Sequence, residues 1–332
     1  MVNYNQLLLF AKSLHDAIKL VLLNKMLTLK LFGSGEAYYC DYPLIGFPNQ
    51  HCYTLLCYLV LHRDQTHERE RLAATLWEVH GSNKPRRQLR NALWRLRQVL
   101  RTANGSLENY LFVSNENLAF VSEAEAYWLD IEIFEEGLTK YLDTAPQSFT
   151  SEQIDDLEAI LNLYQGDLLM GVYEDWCLYE REWLRKLYLI GLNKLLDYHD
   201  IHKNYEQALA YGRKILECDN VQERVHRRIM RLLWQSGQRN AALIQYRQCV
   251  QILRDELDVS PMPETENLYQ QLRSNQFFTD YASEAISRQK SNSEERSLTH
   301  QALQRLQKLK AIVEEANNEI RRLEALFRQI DQ

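Results

Sequence analysis

Two segments of the chain repeat one another 34 residues apart. NYEQALAYGRKILE begins at Asn204 and QRNAALIQYRQCVQ at Gln238. At that offset Ala208 matches Ala242, Leu209 matches Leu243 and Arg213 matches Arg247. A unit this short cannot bury its apolar face alone, so copies must stack, and 34 residues is the period of tetratricopeptide helix pairs. Gly237 falls in the turn between paired helices. The match is partial, because the ring at Tyr246 corresponds to Gly212 in the first copy. A helical-hairpin array is the expectation for this region. Scarce Gly (11) and Pro (6) in 332 residues favour helix from about 123 to 275.

The front of the chain has a different rhythm. In LTLKLFGSGEAYYCDYPLIG (27–46) Leu27, Leu29 and Leu31 alternate and GSGE supplies a turn, which predicts short strands. NQHCYTLLCYLVLHR (49–63) predicts a helix. ERERLAATLWEVHG (68–81) predicts a second, with Leu72, Leu76 and Trp77 on one side and Gly81 as its stop. KPRRQLRNALWRLRQVLR (84–101) predicts a third, with Pro85 tolerated in its first turn. NYLFVSNENLAFVS (109–122) predicts a hairpin turning at Ser114–Asn117. Three helices followed by a hairpin is the order of a winged helix-turn-helix.

Charge singles out the third helix. It holds one Lys and six Arg and no acid, in a chain of formal net charge −6. Residues 1–120 carry 14 Lys+Arg against 9 Asp+Glu, a local +5; the remainder carries 25 against 36, a local −11. Solvated faces usually mix signs. Leu89, Ala92, Leu93, Leu96 and Leu100 form the packing side. Arg87, Asn91, Trp94 and Gln98 face outward, flanked by Arg90, Arg95 and Arg101. Arg can bond guanine and Asn adenine in the major groove. The N-terminal half of such a helix reaches the base edges, which points to Arg86, Arg87, Arg90 and Asn91. Arg95, Arg97 and Arg101 are assigned to phosphates or intramolecular acids. Asn115 and Asn117 at the hairpin tip are assigned to the DNA backbone or minor groove, a modest contribution beside Glu116. Trp94 has two readings, a DNA contact or burial against the next domain.

Two further segments are amphipathic. Leu7, Ala11, Leu14, Ile18 and Val21 share one face of an N-terminal helix. Charges interrupt that run, so a docking helix is expected and not a membrane anchor. After a polar linker, Ala302, Leu306, Leu309, Val313, Ala316, Ile320, Leu323, Phe327 and Ile330 are spaced 4, 3, 4, 3 throughout. This coiled-coil seam predicts a homodimer. The other reading folds it back on residues 7–21.

The division expected is therefore 1–26 amphipathic helix, 27–122 winged helix-turn-helix, 123–275 helical repeats, 276–297 linker and 298–332 coiled coil. The fold class is mainly α with a small β part.

The residues also resemble a known family. RLAATLW (71–77) followed by RRQLRNALWRLRQVL (86–100) resembles the OmpR-type winged helix over 27–122. YWLDIEIFEEGL (127–138), LYQGDLLMGVYEDWCLYEREWLRKLYL (163–189) and the Glu-x-x-His to Glu-Leu-x-Val-x-Pro run of 223–272 resemble the bacterial transcriptional activator domain over 126–273. Together they are similar to the antibiotic regulatory proteins of actinomycetes. The resemblance implies sequence-specific activation of transcription at promoter or operator DNA, with RNA polymerase contacts and a cytoplasmic, nucleoid-associated location. One departure is Glu68, with Thr66 nearby, where the family's second helix usually starts with a Ser cap. Tyr164, Gly166, Asp167, Trp176, Glu180 and Arg181 read as structural packing and a paired charge. Their functional alternative is a groove for a small-molecule or peptide ligand.

The remaining classes are weak. No GxxxxGK[ST] loop, nucleophile elbow or clustered His/Cys/carboxylate set is present, so neither an enzyme nor a cofactor is expected. His226 lacks a second ligand at helical spacing, so no metal is expected. The six cysteines have no CxxC spacing and read as small buried hydrophobes in a reducing compartment. The runner-up function is a tetratricopeptide-type interaction scaffold whose winged helix no longer binds DNA.

Overall fold

The computed structural model describes residues 27–40, 42–44, 50–63, 65–78, 84–102, 110–121 and 127–274. The N-terminal helix, the linker and the 302–330 seam lie outside the described residues, as does Gly81. Strands β1 (Leu27–Lys30), β2 (Glu36–Tyr39) and β3 (Tyr42–Pro43) form a meander. Leu27, Leu29 and Leu31 are all buried, as the alternation predicts. Helix α1 (Gln50–Leu61), strand β4 (Thr66–Glu68), helix α2 (Arg69–Ala73), helix α3 (Pro85–Thr102) and the hairpin β5 (Leu111–Val113) and β6 (Asn117–Phe120) follow. This is the predicted winged-helix order, with three differences.

The second helix starts one residue later than predicted and ends in a π turn, Ala74–Glu78. Residues 66–68 are a strand, because β6 pairs with them: Thr66 faces Ala119 and Glu68 faces Asn117. Three residues without apolar alternation carry no strand signal of their own. Glu68 is the N-cap of α2 but accepts no capping bond; its carboxylate lies 3.1 Å from Arg71.

The third difference is β7 (Tyr127–Leu129), which lies past residue 122 in a stretch expected to be helical. It pairs in parallel with β1, Leu27 facing Tyr127 and Leu29 facing Leu129. The first sheet therefore runs β3-β2-β1-β7, and the second β4-β6-β5. Helix α4 (Asp130–Tyr141) leaves directly from β7. Its first residue, Asp130, is 3% exposed. The Asp130 carboxylate accepts backbone N–H bonds from Leu31 (2.9 Å), Phe32 (3.0 Å) and Ile131 (2.8 Å). Burial still raises its pKa to about 6.

The helical region continues with α5 (Ser151–Leu161), α6 (Asp175–Ile201), α7 (Tyr205–Cys218), α8 (Glu223–Gln235), α9 (Arg239–Leu257) and α10 (Pro263–Ser274). Helices α6 to α9 pack each on the next. The 34-residue repeat reaches the backbone. Lys203 (φ 60°) and Gly237 (φ 80°) occupy the same left-handed turn position. The amide of Asn204 donates to His199 and that of Gln238 to Leu233, again 34 apart at both ends. Ala208 and Ala242 are both fully buried. Where the copies differ, packing explains it. A Cβ on Gly212 would lie 2.9 Å from Ile229 Cγ1 and 3.1 Å from Leu196 Cδ1, so α7 is pinched between α6 and α8. Tyr246 on α9 instead stacks on Tyr269 at 4.0 Å.

The family-like motifs are structural where the described residues place them. Segment 167–170 runs beside residues 31–33: Gly33 N donates to Asp167 O, Leu169 N to Leu31 O and Met170 N to Gly33 O. Tyr164 bonds Asp167 (2.5 Å) and stacks on Tyr188 at 4.1 Å. Gly166, at φ 139°, sits where a Cβ would meet Gly33 Cα at 3.4 Å. Trp176 is half-buried, its ring edge-on to Tyr58 of α1 at 5.4 Å. Arg181 is more than a paired charge: its guanidinium donates to the carbonyls of Leu168, Leu169 and Val172 at 2.6–2.9 Å. His226 is buried and bonded on both nitrogens, to Asn220 O and Gln245 Nε2, each at 2.8 Å. Burial lowers its pKa. Glu223, three residues before it, accepts from Met262 N (2.7 Å) and Thr265. Cys52, Cys57, Cys177 and Cys249 are buried, whereas Cys40 and Cys218 are half-exposed; all six are free thiols.

Candidate nucleic-acid interface

Helix α3 is held from beneath and open on top. Pro85 opens it, and the Lys84 carbonyl accepts from Arg87 N and Gln88 N. Leu89, Ala92, Leu93, Leu96 and Leu100 are all buried against the body of the domain, where α1 and α2 pack on α3. Trp77, at the end of the π turn, donates its indole N–H to His51 on α1 (2.8 Å), which ties these two supports together.

The opposite face carries the predicted residues. Arg86, Arg87, Arg90, Asn91, Trp94, Arg95 and Arg101 are exposed, and Arg97 is half-buried. Trp94 is 61% exposed, so its burial against the next domain does not occur. Arg86 pairs with the Glu70 carboxylate of α2, with both side chains exposed. A phosphate or base would compete with Glu70 for it.

The hairpin forms a wing beside α3. Ser114 builds its tip: its Oγ accepts from Asn117 N (2.8 Å) and Glu116 N (3.3 Å), and its own N–H donates to Asn117 O. Asn115 is exposed and Asn117 half-buried. Arg69 fixes the wing to the start of α2. Its backbone N–H donates to Glu116 O (2.8 Å) and its Nη1 to Ser114 O (2.8 Å). Arg69 carries no sequence signal for this role, because its partners Ser114 and Glu116 lie 45 and 47 residues away.

Between wing and helix lies an open groove of about 580 Å³, bounded by Arg69, Arg90, Leu93, Arg97, Ser114 and Asn115, with Val113 at its wall. A second hollow at the start of α3 is lined by Lys84, Pro85, Arg86, Arg87 and Arg90. The structure thus brings Arg90, Arg97 and Asn115 to one groove, and Arg86, Arg87 and Arg90 to the other. Neither lining contains an acid. Such a surface can hold a polyanion on its rim and offer Arg and Asn donors to what lies between. Among the described residues no group of His, Cys, Asp and Glu has the arrangement of a metal site, and no helix is long and apolar enough to cross a membrane.

Residues 129–273 match the family described as the bacterial transcriptional activator domain. No curated protein matches the sequence. Among solved structures, the chain is similar to Mycobacterium tuberculosis EmbR in complex with a low-affinity phosphopeptide. The two are 17% identical over 84% of this chain and 71% of that one, with a TM-score of 0.62, a likeness of fold. The tetratricopeptide-containing C-terminal domain of a Plasmodium falciparum FK506-binding protein also aligns. It is 14% identical over 44% of this chain and 87% of that one, and its TM-score is 0.30.

Proposed function

Because this chain carries a bacterial transcriptional activator domain behind a winged helix-turn-helix fold, we propose that it is a sequence-specific DNA-binding activator of transcription. It reads the major groove with α3. The observation that carries this is the outer face of that helix: Arg and Asn donors without an acid, on a rigid leucine-packed support, beside a wing that closes a basic groove.

Docked in this way, α3 places Arg87, Arg90 and Asn91 at base edges and Arg95 and Arg101 toward phosphates. Arg86 joins them after exchanging Glu70 for the nucleic acid. Arg97 and Asn115, with Arg69, take backbone phosphates through the groove. The helical repeats and their acidic surroundings meet RNA polymerase or a second protomer. The 302–330 seam makes the homodimer; light scattering on the full chain and on a truncation at 297 tests this, with equal monomer masses overturning it.

The test of the reading is selection from a random-sequence duplex pool across a salt series. Enrichment of a short motif is expected, with affinity falling at a log–log slope of about −0.9 per phosphate neutralised. Arg87→Ala with Asn91→Ala should abolish the preference. Unchanged affinity in that double variant would remove α3 as the reader. Weak, salt-insensitive binding would favour the scaffold reading.

A further inference from the structure

The sequence has six tryptophans. Trp77 is buried, and Trp128, Trp176, Trp183 and Trp234 are half-buried. Trp94 stands apart at 61% exposure, and it makes no hydrogen bond, ring stacking or cation–π contact with any described residue. A tryptophan has the largest apolar surface of any side chain to hide. Here it lies in the middle of the acid-free, arginine-rich outer face of α3.

Its position is specific. At 100° per residue, Arg87, Asn91, Trp94 and Gln98 form one line along α3, directly opposite the leucine face. Arg90 and Arg97 flank it on the wing side, where both line the groove. An occupant of this face is therefore anionic at its rim and apolar at one point near its centre. Duplex DNA matches that pattern. Phosphates run along both rims of the major groove, and the apolar group on its floor is the C5-methyl of thymine.

We propose that Trp94 is a specificity-determining residue whose indole packs on a thymine methyl of the operator. The inference rests on the reading of α3 as the DNA-reading helix and adds the base that the helix selects. The geometry also gives a position. Asn91 and Trp94 are separated by about 4.5 Å along the helix axis, against about 3.4 Å per base pair. The thymine therefore lies about one base step from the base met by Asn91.

The experiment uses the full chain and its selected operator. Each thymine is replaced in turn by deoxyuridine, which removes only the methyl. The wild-type protein should lose about fourfold in affinity at one thymine, the value of burying one methyl group. That thymine should neighbour the base pair most sensitive to Asn91→Ala. Trp94→Ala should bind the thymine and uracil operators equally, with its salt slope unchanged. Trp94→Phe should recover part of the discrimination. Since Trp94 is 61% exposed, both variants are expected to keep the fold, and circular dichroism checks this. Wild-type affinity and a wild-type thymine-to-uracil ratio in Trp94→Ala would overturn the proposal while leaving DNA reading intact, and would point to a protein partner for the indole. Failure to select any operator would instead remove the DNA reading and this inference with it.

Discussion

Asp130 and Arg181 are charged groups that the protein spends on its own backbone. Asp130 receives three amides and Arg181 serves three carbonyls. Asp130→Asn turns one acceptor oxygen into a donor facing a strand amide, so a loss of about 1–3 kcal/mol is expected in urea denaturation at pH 7. The same residue gives a pH signature. Its folded pKa, about 6, stands above the 3.8 of a free aspartate carboxyl, so the folded state binds the extra proton. Its contribution is full below about 4 and is lost as pH rises through about 6. The stability of wild type relative to Asp130→Asn should therefore increase from pH 7 to pH 4.5; a constant difference would contradict the assignment. On the outer face of α3, if the proposed DNA reading holds, Arg90→Ala should lower the salt slope by about 1 where that guanidinium meets phosphate, and leave it unchanged while relaxing specificity where it meets a base. The outer residues of α3 were legible in the sequence because helical periodicity alone sorts them from Leu89, Leu93, Leu96 and Leu100. Asp130 and Arg69 were not. Their partners are about 99 and 45 positions away in the chain, and no local pattern encodes a contact at such separations.

At the scale of elements, the helices, the first meander and the hairpin were legible in the sequence, and β4 and β7 were not. β4 and β7 are three residues each and exist because β6 and β1 offer them a ladder. Their residues carry no alternation of their own. The π turn of Ala74–Glu78 likewise reads in sequence as ordinary helix. The repeat was legible because its period is set by the geometry of the helix pair, and its imperfect position proves informative. Gly212 marks the pinch of α7 between α6 and α8. Gly212→Ala should destabilise the chain by about 1–2 kcal/mol in thermal or chemical unfolding, because overpacking against Ile229 outweighs the gain of about 1 kcal/mol in helix propensity. Arg213→Ala, exposed on the same helix, should be neutral within about 0.5 kcal/mol. Equal effects of the two would argue against the pinch.

At the scale of the molecule, the described residues of the winged helix and helices α4 to α9 fall in one compact unit. Three devices join them: the β1–β7 ladder, the Asp130 carboxylate, and the 167–170 segment beside residues 31–33. Arg63 adds a salt bridge to Glu132 at 3.2 Å. Unfolding followed by tryptophan fluorescence and by circular dichroism should therefore give one coincident transition for this unit, whereas two separated transitions would mean the halves are thermodynamically independent. The sequence suggested a border near residue 122 because the hairpin ends there and polar residues follow.

The match to the activator domain begins at residue 129, the last residue of β7. A genetic exchange at that point would carry Asp130 into a new protein without the Leu31 and Phe32 amides it serves, and would leave β1 behind with an open edge. The two halves are thus joined as one mechanical piece. A recombinant that keeps either half should need the strand-and-carboxylate joint as well, and an exchange made at residue 129 should yield two less stable products.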